Sequence, residues 1–198
     1  MDTLATQTGD PHDQVVRKFG DRVRALRERS GSTLEQLSQR SGVSRAMLSK
    51  VERGEKSPTI GVATRIAHAL EAPLSMLIGV PEERRAVAFV RKGQRHVFRD
   101  EETGFERHLL SPAIVGSNVE VLYHFLPART STGKLPPYPA GTEKHVVLLH
   151  GGLVVAMRDS ESVLEEGDAL YFEADVEHAF ENRTDAACEY HLILSRRT

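Results

Sequence analysis

The sequence predicts a multi-domain α + β chain, with an all-α bundle of five helices followed by an all-β barrel. Three observations support this. Up to about residue 80 the apolar residues recur at spacings of three and four. From about Ala86 they gather in short β-branched and aromatic runs separated by Gly, Pro, Asn and Asp. The charge also divides: residues 15–80 hold 12 Lys and Arg against 6 Asp and Glu, or +6, so with the whole chain at −2 the remainder carries −8. A length of 198 residues accommodates two small domains.

The helices follow in order. Val16, Phe19, Val23 and Leu26 share one face of the first. The second starts at one of two overlapping capping boxes, Ser32 with Glu35 or Thr33 with Gln36, buries Leu34 and Leu37, and stops at Gly42. Ser44 caps the third, with Met47, Leu48 and Val51 as its apolar side and Gly54 as its close. Thr59 after Pro58 starts the fourth, which carries Val62, Ile66 and Leu70 and is expected to stop at Pro73; Leu74 to Ile78 complete the bundle. The expected boundaries are a disordered tail at 1–13, a helical domain at 14–80, a linker at 81–85 and a β domain at 86–198.

Five strands are legible in the second part: residues 86–90, 119–125, 145–149, 153–157 and 190–194. Many short strands over about 110 residues argue for a closed barrel or a sandwich. No apolar run approaches the roughly 18 residues a membrane helix needs. The first residues lack the basic and apolar regions of a secretory signal. Cys188 is the lone cysteine, which rules out an intrachain disulfide and a cysteine-based metal site and fits a reducing cytoplasm.

Two short helices joined by Ser41-Gly42-Val43-Ser44 form the arrangement that lets a second helix enter a DNA major groove. Ser44, Arg45 and Ser49 lie near the N-terminus of that helix, with Lys50 a turn further on. An arginine can fork onto guanine, and a lysine can reach the same acceptors or a phosphate. Thr33 and Gln36 open the preceding helix, where hydroxyl, amide and backbone N–H groups can hold phosphate oxygens. Arg53 and Lys56 are candidate backbone contacts or ordinary solvated charges. A basic module on an acidic one suits a polyanion partner for the first part alone.

The run Thr33 to Gly54, followed by Ser57-Pro58-Thr59, closely resembles the XRE family of helix-turn-helix proteins, which includes the phage Cro and repressor proteins. The resemblance covers about residues 14–80 and implies a lambda-repressor-like domain. Carried over by position, it makes Ser44, Arg45, Ala46 and Lys50 groove-facing, puts Thr33 at the phosphate backbone and gives Glu52-Arg53-Gly54 a structural role. In the second part, Pro139 to Val155 resembles the first cupin motif and Gly167 to Asn182 the second. The whole order resembles the XRE–cupin regulators, which implies a jelly-roll barrel that binds an effector and dimerises.

Metal-binding cupins supply two His and a Glu from the first motif and a His from the second. Aligning the glycines places Tyr138 near a histidine position, Lys144 at the glutamate position and His178 at its own. A protonated lysine offers no lone pair and repels a divalent ion, so no metal and no cofactor is expected. A one-residue shift would instead turn His145 inward beside His178. Tyr138, Lys144 and His178 read as a polar set facing the barrel interior and suited to an anionic effector. Alternatively, Lys144 pairs with Glu143 or Glu173. The expected function is a cytoplasmic, homodimeric, non-enzymatic regulator, most simply a repressor, that binds a double-stranded DNA operator and a small-molecule effector. The alternatives are a metal-dependent cupin enzyme with an accessory DNA-binding domain, and an antitoxin-like interaction module.

Overall fold

The computed structural model describes residues 11–79, 87–114 and 117–197. The Val16 side chain, the expected linker at 81–85 and the first ten residues of the expected tail lie outside the described residues. Helix α1 (Pro11–Arg29) starts three residues inside that tail. A proline suits a first helical position, where its missing N–H has no intrahelical partner to lose.

Helices α2 (Leu34–Ser41), α3 (Arg45–Glu52), α4 (Ile60–Ala69) and α5 (Leu74–Ile78) complete the bundle. Of the two possible capping boxes, the chain uses Thr33 with Gln36. Ser32 instead hydrogen-bonds Ser30 and Arg40. Gly42 ends α2 with φ +64°, a conformation cheap for glycine. Helix α4 ends at Ala69, before Pro73, and Glu71 takes φ +54° in the turn that follows. Pro73 instead occupies the N-cap position of α5. Phe19, Val23, Leu37, Leu48, Val51 and Ile66 are buried at the centre. A Cβ on Gly20 would lie 2.2 Å from the Val51 carbonyl oxygen, so glycine is what lets α1 and α3 cross this closely.

Among the described residues nine antiparallel strands follow: β1 (Val97–Arg99), β2 (Glu106–Leu109), β3 (Val119–Leu126), β4 (Thr142–His150), β5 (Leu153–Met157), β6 (Ser160–Leu164), β7 (Ala169–Glu173), β8 (His178–Glu181) and β9 (Cys188–Arg196). One sheet runs β1-β2-β3-β9-β4-β7 and the other β6-β5-β8, giving a cupin jelly roll. The strand expected at 86–90 is absent among its described residues. Residues 87–90 are irregular, with Val87 84% and Phe89 76% exposed. Apolar, β-branched residues make a strand only where a neighbouring strand can receive their backbone groups, and this run has none.

The two parts pack directly on each other. Phe19 of α1 meets Phe98 of β1 at 6.1 Å between ring centroids. Asp100, 1% exposed in the turn after β1, accepts a hydrogen bond from the Ile60 backbone N–H at 3.1 Å and so caps α4 from the barrel side. Ser75 of α5 donates to Glu120 of β3 at 2.9 Å. His68 of α4 stands edge-on to Tyr138 at 4.5 Å between centroids.

Candidate DNA-reading helix and barrel pocket

On α3 the buried residues are Leu48, Val51 and Glu52, while Ser44, Arg45, Ala46 and Lys50 are exposed and Ser49 is half-buried. Ser44 accepts a hydrogen bond from the Met47 backbone N–H at 3.3 Å, which fixes the start of the helix and leaves its hydroxyl proton free to donate. Thr33 and Gln36 are exposed at the start of α2. Thr33 Oγ1 accepts from the Gln36 N–H at 3.1 Å, and Gln36 Oε1 accepts from the Thr33 N–H at 2.8 Å. The hydroxyl proton of Thr33 and the amide protons of Gln36 remain donors toward solvent. Arg53 forks onto Glu55 and donates to Ser49, so it is held within the turn. Lys56 lies 3.5 Å from Glu102 in the barrel part.

The end of α3 is clamped from inside. Arg27 of α1 donates from Nε to Glu52 Oε1 at 2.7 Å and from Nη2 to Oε2 at 2.9 Å, a two-pronged ion pair with both side chains largely buried.

In the barrel, the period of β4 turns Thr142, Lys144, Val146 and Leu148 inward and Glu143, His145 and Val147 outward. Lys144 is 1% exposed, and its Nζ lies 2.7 Å from His178 Nε2. His178 Nδ1 lies 2.8 Å from the Val176 carbonyl oxygen, an acceptor, so Nδ1 carries the proton and Nε2 accepts from Lys144. The ammonium nitrogen also sits over the Tyr138 ring at 4.5 Å and the Phe180 ring at 5.5 Å. Tyr138, Lys144 and His178 therefore do meet. Burial drives the Lys144 pKa well below the usual lysine value, and the Arg107 charge adds to the effect. Burial, followed by the charge of Lys144, lowers His178 to about 3.

The two alternatives at this position fail on geometry. His145 is exposed on the outer face of β4, so the shifted register that would pair it with His178 does not occur. Glu143 turns outward to Arg197 and Ser195, and Glu173 is exposed, so neither is a partner for Lys144.

Comparison with known proteins matches the two halves separately. The family model described as a helix-turn-helix domain matches residues 18–77, and the one described as a cupin domain matches residues 131–194. The HTH-type transcriptional regulator SutR of Escherichia coli is 24% identical over 92% of this chain and 97% of its own length. The chain is a transcriptional regulator with an N-terminal helix-turn-helix domain and a C-terminal cupin domain. The regulator also matches the transcriptional regulator ClgR of Mycobacterium tuberculosis, 39% identical over 34% of this chain and 60% of that protein. Its fold is shared with the crystal structure of an HTH_3 family transcriptional regulator from Vibrio cholerae, at a TM-score of 0.75 and 23% identity over 94% of this chain and 99% of that one.

The cupin fold raises the question of a metal. Among the described residues no group of three His, Cys, Asp or Glu side chains could hold one. At the motif position itself, the one imidazole lone pair available, on His178, already receives a Lys144 proton. The donor set does not suit a divalent ion. No helix among the described residues is long and apolar enough to cross a membrane.

Arg107 and Glu120 were missed in the sequence. Arg107 on β2 is 3% exposed, lies 3.4 Å from Glu120 and leaves its Nε without a hydrogen-bond partner among the described residues. His124 on β3 is 2% exposed and packs edge-to-face on Phe105 and Tyr190, each at 5.0 Å between centroids. Neither of its ring nitrogens nor the Tyr190 hydroxyl has a partner among the described residues. A signal for Arg107 was present: Phe105 and Leu109 flank it at a spacing of two, which places all three on one strand face.

Proposed function

We propose that the regulator is a homodimeric, sequence-specific repressor whose barrel binds a small anionic effector. Ser44, Arg45, Ala46, Ser49 and Lys50 form its groove-facing set, and Thr33 and Gln36 hold the phosphate backbone. The observation that carries this reading is the division of α3. Its apolar side is buried against α1 and α2, while Arg45 stands exposed at the capped N-terminus and Lys50 exposed in the last turn. One helix-turn-helix of this size makes too few contacts for tight specific binding, so two copies would read half-sites one DNA turn apart, roughly 34–36 Å. Tyr138, Lys144 and His178 form the effector-facing set. A buried lysine that hydrogen-bonds an imidazole and touches no carboxylate would gain from an incoming anion.

Selection of operator sequences with the purified protein, followed by binding measurements on the selected site, tests the DNA half. Arg45→Ala should relax base preference at one position by ~1–3 kcal/mol. An equal loss on every sequence would reassign Arg45 to the phosphate backbone. For the barrel half, Lys144→Met should weaken effector binding and leave operator binding without effector intact. Unchanged effector affinity would remove Lys144 from the site.

A further inference from the structure

Between α4, α5 and the mouth of the barrel lies a narrow cleft of about 10 Å³, room for about one water, lined among others by His68, Leu74, Arg107, Glu120, Tyr138 and Arg196, so a ligand enters it only by moving a side chain aside. Tyr138 is shared between this cleft and the Lys144–His178 pair, with its ring under the Lys144 nitrogen and in T-shaped contact with His68 of α4. Arg107 is the buried guanidinium here. Its contact with Glu120 is a long 3.4 Å from Nη2 to Oε2, and its Nε has no hydrogen-bond partner among the described residues. A guanidinium binds a carboxylate or phosphate best through two parallel N–H groups, so this pairing uses only part of what Arg107 offers. The other oxygen of Glu120 accepts the hydrogen bond from Ser75 of α5. The α5 helix is in turn held at its far end by Arg22 of α1, which donates to the Leu77 and Ile78 carbonyls at 3.0 and 2.5 Å. The charged groups lining the cleft are Arg107 and Arg196 against Glu120, a positive balance that favours an anion in the place of Glu120.

We propose that Arg107 is the oxyanion-binding residue of the regulator, and that a ligand carboxylate or phosphate seated on it displaces Glu120 and loosens the hold of the barrel on α5. This rests on the reading of the barrel as an effector pocket and supplies its link to the DNA-binding helices. Displaced from Arg107, Glu120 loses its cationic partner within the barrel, and the Ser75 contact loses the ion pair that orients its acceptor. The signal reaches the helical domain through a bond already in place, and an apolar ligand could not send it, because nothing in it would compete for a guanidinium.

Hydrogen exchange of the full-length protein, followed by mass spectrometry with inorganic phosphate or succinate as probe, tests this directly. Exchange of the Met76 and Gly79 amides, which close the α5 turns, should quicken when a probe binds. In Glu120→Gln the same amides should exchange fast without any probe, and the probe should bind more tightly. Arg107→Lys, which keeps the charge and loses the fork, should weaken probe binding by about tenfold, and Arg107→Gln by more. Success with one probe alone tells a carboxylate ligand from a phosphate one. If a probe binds and Lys144→Met abolishes its binding while α5 exchange stays unchanged, the displacement is wrong and the effector pocket stands. Probe binding indifferent to both Arg107 variants also overturns the proposal. Binding of neither probe overturns both the displacement and the anionic-effector reading.

Discussion

Replacing Glu52 by glutamine should cost the helical domain about 2 kcal/mol, a figure that follows from the geometry of one ion pair. Arg27 and Glu52 have side chains 13% and 7% exposed and share two charge-assisted hydrogen bonds, at 2.7 and 2.9 Å. Removing one member of a buried pair typically costs 3–5 kcal/mol, because the partner charge is left without compensation. Two features reduce the cost here. Glutamine keeps one oxygen acceptor for Arg27, and the guanidinium retains its bond to the Ser32 carbonyl at 3.0 Å and a second carboxylate, Glu28, at 3.5 Å. For a chain of this length, a loss of about 2 kcal/mol lowers the melting temperature by roughly 4–8 °C. Urea unfolding followed by far-ultraviolet circular dichroism measures the effect. The double variant Arg27→Met with Glu52→Leu should recover most of it, because the buried charges leave together. A Glu52→Gln protein within about 0.5 kcal/mol of wild type would refute the reasoning. So would a double variant no more stable than the single one.

Acidification should destabilise the regulator well before its carboxylates titrate. Burial holds His68 at about 4 and His178 at about 3, and the fully buried His124 well below the usual imidazole value, so below pH ~6.5 the unfolded chain takes up protons that the folded one refuses. Stability is therefore full above pH ~6.5 and falls as pH drops toward 4, by at most ~1.4 kcal/mol per pH unit for each histidine and by less for the partly open His68. Urea midpoints at pH 7.5, 5.5 and 4.5 should decline in that order, with a shallower decline in His178→Gln; a flat profile would mean these imidazoles are charged in the fold. Asp100→Ala should cost about 2–3 kcal/mol by stripping an acceptor from the Ile60 N–H and from two turn N–H groups, whereas Asp100→Asn should cost less. Equal losses in the two variants, read by thermal melting, would show that the charge matters and the acceptor does not.

The helical part was legible because its signals are local. Ser44, Thr59 and Gly42 announce their roles within a few residues, and the spacing of Leu37, Leu48, Val51 and Ile66 marks the core. The meeting of Tyr138, Lys144 and His178 followed from motif alignment, and the even spacing of Lys144 with Val146 and Leu148 kept it inside. The failures were non-local. The apolar run at 86–90 has the composition of a strand, yet its described residues 87–90 have no neighbour to pair with, whereas Glu106-Arg107-His108-Leu109 looks solvated and gains its place by pairing with β3. Glu52 could be assigned a structural role by resemblance, but its partner Arg27 lies 25 residues away, and no short-range pattern joins them. Glu120 and Ser75 are 45 residues apart and meet only because the bundle sits on the barrel mouth.

The cap that Asp100 places on α4 bears on how the molecule is made. A chain synthesised from its N-terminus exposes the start of α4 long before Asp100 emerges, and Phe98, against which Phe19 packs, comes equally late. Thr59, whose hydroxyl accepts from the Val62 N–H at 3.4 Å, is the weak placeholder available meanwhile. The DNA-binding helices thus reach their final packing only after the first barrel strand has left the ribosome. Exchange of barrels between regulators of this kind would therefore have to carry the turn at Asp100 along with the helical domain.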